Sequence, residues 1–121
     1  TALTETSSIT LKENFSPIEN ALEKLLQLSG WIYDRIDGSI KGEAGLIAEH
    51  VNNVIPNIVT KDANGNPETI AYTRLSAYII EAIKELKTNF HLTEIFFLLN
   101  ETNLPGEKFY FNIYILFSNM K

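Results

Sequence analysis

The sequence predicts an α+β fold: short antiparallel strands or hairpins, an N-terminal helix and a long helix near residues 73–88. Three observations carry the α+β part. A helix-spaced apolar set with start and stop signals occupies residues 16–30. Turn clusters at Asp37-Gly38 and from Asp62 to Pro67 separate short β-prone runs. A second, longer apolar period occupies residues 73–87. The length of 121 residues suits one domain. With 45% hydrophobic and 21% charged residues, the chain has the composition of a globular domain with an unstapled core.

The elements follow in order. Residues 1–15 are polar, and the alternation of Ile9 and Leu11 predicts a short extended piece. Ser16-Pro17-Ile18-Glu19 reads as a helix start, with Ser16 as N-cap, Pro17 at the first helical position and Glu19 closing a capping box. Ile18, Ala21, Leu22, Leu25, Leu26 and Leu28 recur at helical spacing, and Gly30 stops the helix. Trp31-Ile32-Tyr33 begins a β-prone run to Ile36, and Asp37-Gly38 turns the chain into a loop with room for a short strand before Gly45. Leu46 to Val54 reads as a short helix ended by Pro56. Asn57–Thr60 and Thr69–Tyr72 read as the arms of a hairpin around the Asp62–Pro67 turn.

Thr73–Lys87 is a helix with Leu75, Ile79, Ala82 and Leu86 in one stripe, broadened by Tyr78, Ile80 and Ile83. That is more apolar surface than the single stripe of an ordinary surface helix. Either the helix is sunk in its own core, or it packs on its own domain and also on a partner copy. Beyond it, Leu92–Leu99 and Lys108–Phe117 read as strands around Asn103-Leu104-Pro105-Gly106, with a helix continued through Phe90 and Phe97 as the alternative. Eight of the 13 aromatic residues lie in the last 32 positions. Such a concentration predicts aromatics buried between copies or folded back on the preceding helix.

Composition removes several function classes. The absence of Cys excludes thiolate catalysis and Cys-ligated metal sites. Two His residues, His50 and His91, make a His-rich metal site unexpected, and no cofactor is expected. Ten basic against 15 acidic residues give a net charge of −5, which argues against nucleic acid as a partner. No uncharged apolar run approaches the ~20 residues of a membrane helix, so no membrane partner is expected. Asp62, Asn64 and Asn66 around Gly65 resemble part of a calcium loop, but the closing Glu is missing and the segment reads as a turn. Nucleophile elbows, zinc motifs and phosphate loops are not present. Glu49 and His50 invite an acid–base reading, yet neighbours on a helix point in different directions. They read first as surface or hydrogen-bonding groups. The sequence does not begin with Met, which predicts a piece of a longer chain.

Three segments carry a resemblance: Ser7-Ser8-Ile9-Thr10-Leu11-Lys12-Glu13-Asn14; Gly45-Leu46-Ile47-Ala48-Glu49-His50-Val51 with Pro56 downstream; and Ile70-Ala71-Tyr72-Thr73-Arg74-Leu75 running into Glu81-Ala82-Ile83-Lys84-Glu85-Leu86. In this order and spacing they resemble the C-terminal intramolecular chaperone, or auto-processing, domain of phage tail spikes, tail fibres and neck appendages. The resemblance covers about residues 7–88. It departs from the family pattern where Ser8 stands in a place commonly held by Asp, where His50 replaces a commonly acidic residue, and after Lys87, where many relatives continue as a polar coiled coil.

The resemblance implies residues 1–6 as a remnant of an upstream fibre and 7–121 as the chaperone domain, with 7–88 family-like and 89–121 divergent. It implies a homotrimer that helps an upstream fibre or spike segment of the same chain to fold in the host cytoplasm during virion assembly. It further implies one self-cleavage at the Thr6–Ser7 bond that releases the domain from the mature virion protein. Ser7 would be the nucleophile and Lys12, five residues on, its base, with Glu49 as a supporting group because it matches the family motif. Ser8 with Lys12 is the competing pair. A base must be neutral to act, and free Lys titrates at about 10.4, so burial or a nearby cation must favour the neutral amine. A dry interface formed on assembly would supply that burial. A non-cleaving trimerisation module and an unrelated small binding domain are the rival readings.

Overall fold

The computed structural model describes residues 4–101 together with Tyr114 and Ser118. A 3-10 turn at Ile9–Leu11 is followed by α1 (Ala21–Leu26), β1 (Trp31–Tyr33), β2 (Glu43–Gly45) and α2 (Ala48–Val54). A second 3-10 turn at Pro56–Ile58 leads into β3 (Val59–Lys61), β4 (Pro67–Ile70) and the long α3 (Tyr72–Glu101). The fold is α+β, as the sequence predicts. The strands form two antiparallel pairs. In one, Trp31 lies opposite Gly45 and Tyr33 opposite Glu43. In the other, Val59 lies opposite Ile70 and Thr60 opposite Thr69, with a register break at Thr60/Lys61.

Both hairpins are set by local turn chemistry. Asp37 Oδ1 accepts from the Ser39 N–H at 2.9 Å, and Gly38 takes the left-handed conformation (φ 78°) that favours glycine. In the second turn Asp62 Oδ1 accepts from the N–H groups of both Asn64 and Asn66 at 2.9 Å. The carboxylate there organises backbone. Ile9 and Leu11 form a 3-10 turn where the alternation predicts extended chain, because the Ser8 side chain caps them.

The core lies where α1, α2 and the second hairpin meet α3. Val51, Ile55, Ile58 and Tyr78 form its centre, with Leu25, Leu28, Leu46 and Leu75 packed around them. Tyr78 satisfies its hydroxyl by donating to Asn57 Oδ1 at 2.9 Å. At Gly45 an added Cβ would stand 2.6 Å from Tyr33 Oη and 2.9 Å from Tyr72 Oη, so the two rings can close over this position only if it is glycine. Tyr72 Oη in turn accepts from the Leu46 N–H at 2.9 Å, tying the head of α3 to the entry of α2.

The first helix is shorter than Ser16 and Glu19 predict. It starts at Ala21, after Asn20 in the left-handed region (φ 55°) with no side-chain cap of its own. The capping acceptor comes from α3. Glu85 Oε1 accepts from Ala21 N at 3.0 Å and Oε2 from Leu22 N at 2.8 Å. This bidentate carboxylate satisfies two of the free donors at the helix start, and its charge suits that end of the dipole. Ala21 and Ala82 are both buried, which allows the close approach. Glu85→Ala should leave both donors unpaired and cost about 1–3 kcal/mol in urea unfolding; an unchanged midpoint would remove this account of α1.

The predicted strand at Leu92–Leu99 is helix. α3 runs through it to Glu101 because no Gly or Pro interrupts residues 88–101. The β-branched Thr88 and Thr93 fold their hydroxyls back onto the carbonyls of Lys84 and Asn89 at 3.1 and 3.0 Å. Most of the predicted 108–117 strand, and the aromatics at 109–111 and 117, lie outside the described residues. Within it, Tyr114 is helical, and Ser118 Oγ donates to its carbonyl at 2.8 Å.

α3 divides the predicted stripe: Leu75 packs on the core and Ala82 is buried, while Ile79 and Leu86 are exposed. Tyr78 and Ala82 face inward. Ile79, Ile83, Leu86, Phe90 and Phe97 are between 42% and 62% exposed. With Thr93 they follow a 4-3-4-3-4 spacing, the heptad spacing of a helix seam. No helix among the described residues is long and apolar enough to cross a membrane.

Candidate functional site

The N-terminal segment lies against the Pro56–Ile58 turn and the head of α3, and the three enclose a cleft of about 470 Å³. Ser7 and Lys12 sit on one wall, Asn57 and Tyr78 on another, and Thr73 and Arg74 line it from the first turn of α3. Lys12 Nζ donates to Ser7 Oγ at 2.7 Å.

The local sequence explains how five residues of separation become contact. An extended chain would carry Lys12 roughly 17 Å from Ser7. Instead Leu11 N and Lys12 N donate to the Ser8 and Ile9 carbonyls at 3.1 Å, and the 3-10 turn brings the chain back. Ser8 holds that turn: its Oγ accepts from Thr10 N at 3.3 Å and shares a hydrogen bond with Thr10 Oγ1 at 2.9 Å. The two adjacent serines therefore have different partners, Ser8 the turn and Ser7 the amine. A Ser in the place commonly held by Asp keeps the capping function, since both are strong N-caps.

Ser7 and Lys12 are both exposed among the described residues. Thr73 Oγ1 also reaches across the cleft and donates to Glu5 Oε1 at 2.6 Å. Sequence reasoning missed Glu5 and Thr73, since a polar pair separated by 68 positions leaves no periodic or spacing signal.

The other candidates lie elsewhere. Glu49 is exposed in the first turn of α2 and lines a second cleft of about 470 Å³ between the two hairpins, with Tyr33, Arg35, Glu68 and Tyr72. The structure does not bring it to Ser7 within one chain. His50 beside it is exposed. His91 is on α3, with Nδ1 3.3 Å from Glu94 Oε2. In the second cleft Arg35 Nε binds Glu43 Oε2 at 2.6 Å and its guanidinium stands 5.7 Å from the centre of the Tyr33 ring. The hydrogen bond from Arg35 holds the Glu43 carboxyl below its ordinary range, and hydrogen bonding with Glu43 raises the Tyr33 phenol. These groups satisfy one another.

Residues 7–60 match the model of the Peptidase S74 family, described as chaperone of endosialidase. The match begins at Ser7. In an 87-residue alignment that covers 66% of it, the chain is 41% identical to the long tail fiber protein Gp37 of Enterobacteria phage K3 and likewise to that of Enterobacteria phage T2. It spans 7% and 6% of the length of those two proteins. Two of the three motifs and the Ser7–Lys12 contact fall within the family match at residues 7–60, and the third motif, from Ile70 to Leu86, follows it. Over residues 7–60, the stretch that holds both Ser7 and Lys12, the chain matches the chaperone-of-endosialidase family.

Proposed function

We propose that the chain is a self-releasing folding module of a phage tail fibre, acting in the host cell during virion assembly. Residues 7–121 form the module, and residues 1–6 belong to the fibre it leaves behind. Three copies assemble, align the fibre chains that precede them, and so lower the entropic cost of starting long-range pairing in register. The outward heptad stripe of α3 supports this, because its large apolar side chains stay about half exposed among the described residues.

Release is then a cleavage at Thr6–Ser7. The observation that carries this reading is the 2.7 Å contact between Lys12 Nζ and Ser7 Oγ. Once the amine is neutral, it takes the Ser7 hydroxyl proton and the oxygen attacks the Thr6 carbonyl carbon. The Thr6–Ser7 carbon–nitrogen bond breaks, and the Ser7 nitrogen receives the proton from Lys12. The resulting Thr6 ester on Ser7 Oγ is hydrolysed by water, leaving a Thr6 carboxylate and a free Ser7 hydroxyl. Burial of the exposed pair between copies supplies the desolvation that favours the neutral amine, so cutting follows assembly.

The test is the intact mass of a full-length precursor carrying its upstream segment, with light scattering in parallel. The expected products are a fragment beginning at Ser7 and its upstream complement, formed from a trimer. A precursor that trimerises but stays whole would establish the non-cleaving module instead.

A further inference from the structure

We propose that Glu5 is the upstream anchor of the cut: its carboxylate, held by Thr73 at the head of α3, fixes the chain two residues before the Thr6–Ser7 bond. The inference rests on the cleavage reading and adds a positioning pair to it. Thr73 Oγ1 donates to Glu5 Oε1 at 2.6 Å, a contact between the segment that would leave and the domain that would stay.

Three features of the site favour a carboxylate here. The first turn of α3 contains no acidic residue of its own. Its free N–H groups and the positive end of the helix dipole therefore lack an intrahelical counterpart, and Glu5 brings one from 68 residues away. The Arg74 side chain, next to Thr73, lines the same cleft and makes no ion pair or hydrogen bond with another described residue, while its N–H donates to the Ala71 carbonyl at 3.0 Å.

The consequence for the reaction is geometric. Thr6 lies between two held points, Glu5 on Thr73 and Ser7 on Lys12. Restraining the carbonyl and its attacking hydroxyl from both sides removes rotational freedom before the chemical step, which is where positioning gains rate. After hydrolysis Glu5 departs with the upstream product. The anchor therefore exists only in the uncut chain, and it selects for an acidic residue at the second position before the cut.

The test uses full-length precursor and follows the fraction cut against time in wild type, Thr73→Val, Thr73→Ser, Glu5→Ala and the Thr73→Val/Glu5→Ala double variant. Thr73→Val, equal in size without the donor, should slow cutting on the order of 10-fold, as should Glu5→Ala. Thr73→Ser should restore the rate, and the double variant should be no slower than either single. Trimer content and melting temperature should stay at wild-type values, which separates positioning from a structural role. A precursor cut at Ser7 at equal rates in every variant would overturn the anchor alone. A fall in cutting that tracks a fall in melting temperature, without recovery in Thr73→Ser, would also overturn it. A wild-type precursor that is never cut would overturn the anchor together with the reading beneath it.

Discussion

Ser7→Ala should leave the full-length precursor whole, and Lys12→Arg should do nearly the same. The first removes the oxygen that accepts from the amine. The second is the more informative. Arg can still donate to Ser7 and keeps the positive charge, but it stays protonated across the usable pH range and cannot take a proton. General-base assistance accounts for about 10²- to 10⁴-fold in rate, so Lys12→Arg and Lys12→Ala should both lose roughly that much. If Lys12 served only to pin the loop, Lys12→Arg would cut well, and the base assignment would fail. Ser8→Ala should weaken the turn by about 1 kcal/mol and slow cutting modestly, with Ser8→Asp restoring it. Normal release in Ser7→Ala, read by intact mass, would transfer the nucleophile elsewhere.

Ile83→Glu with Leu86→Glu should abolish the trimer. Each side chain is more than half exposed in the single chain, so the double change removes little from the chain's own core. Covering the exposed part of such a residue is worth on the order of 1 kcal/mol by area, repeated in every copy. A carboxylate placed there instead must be desolvated without a partner, which costs several kcal/mol per ion. Light scattering should give the monomer mass with helical circular dichroism intact. Cutting should be lost as well, because the Ser7–Lys12 pair has no burial of its own. A trimer that survives both substitutions would move the interface off this face of α3.

The hairpins were legible in the sequence because their determinants are local: Asp37 and Asp62 each organise backbone within a few residues of themselves. The start of α1 was not. Its cap, Glu85, is 64 positions away from Ala21, and the nearby Ser16 offered a plausible substitute. Thr88 and Thr93, together with the run of Ile and Phe residues, made the second half of α3 look like strand, while the absence of Gly and Pro decided for helix. Leu75 and Ala82 of the stripe do face the core, but Tyr78 packs there in place of Ile79, since the two are equally apolar on paper and only packing tells inside from outside. Ser7 and Lys12 were legible through family resemblance alone. What brings them together is the Ser8-capped turn, a feature of the very residue that departs from the family pattern.

The length of α3 makes it a ruler. Thirty residues span about 45 Å, with the cleft at the N-terminal end and the exposed Phe97 near the other. If one helix of a trimer slipped by a heptad, the apolar seam would still mesh, but that chain would be displaced by about 10 Å at every level. Partner surface would then miss the Ser7–Lys12 pair, and its amine would stay wet and charged. A misaligned fibre would therefore keep its chaperone, and only chains in register would be let go. On the proposed reading the single cut would work as proofreading, converting an equilibrium between alignments into an irreversible choice of one.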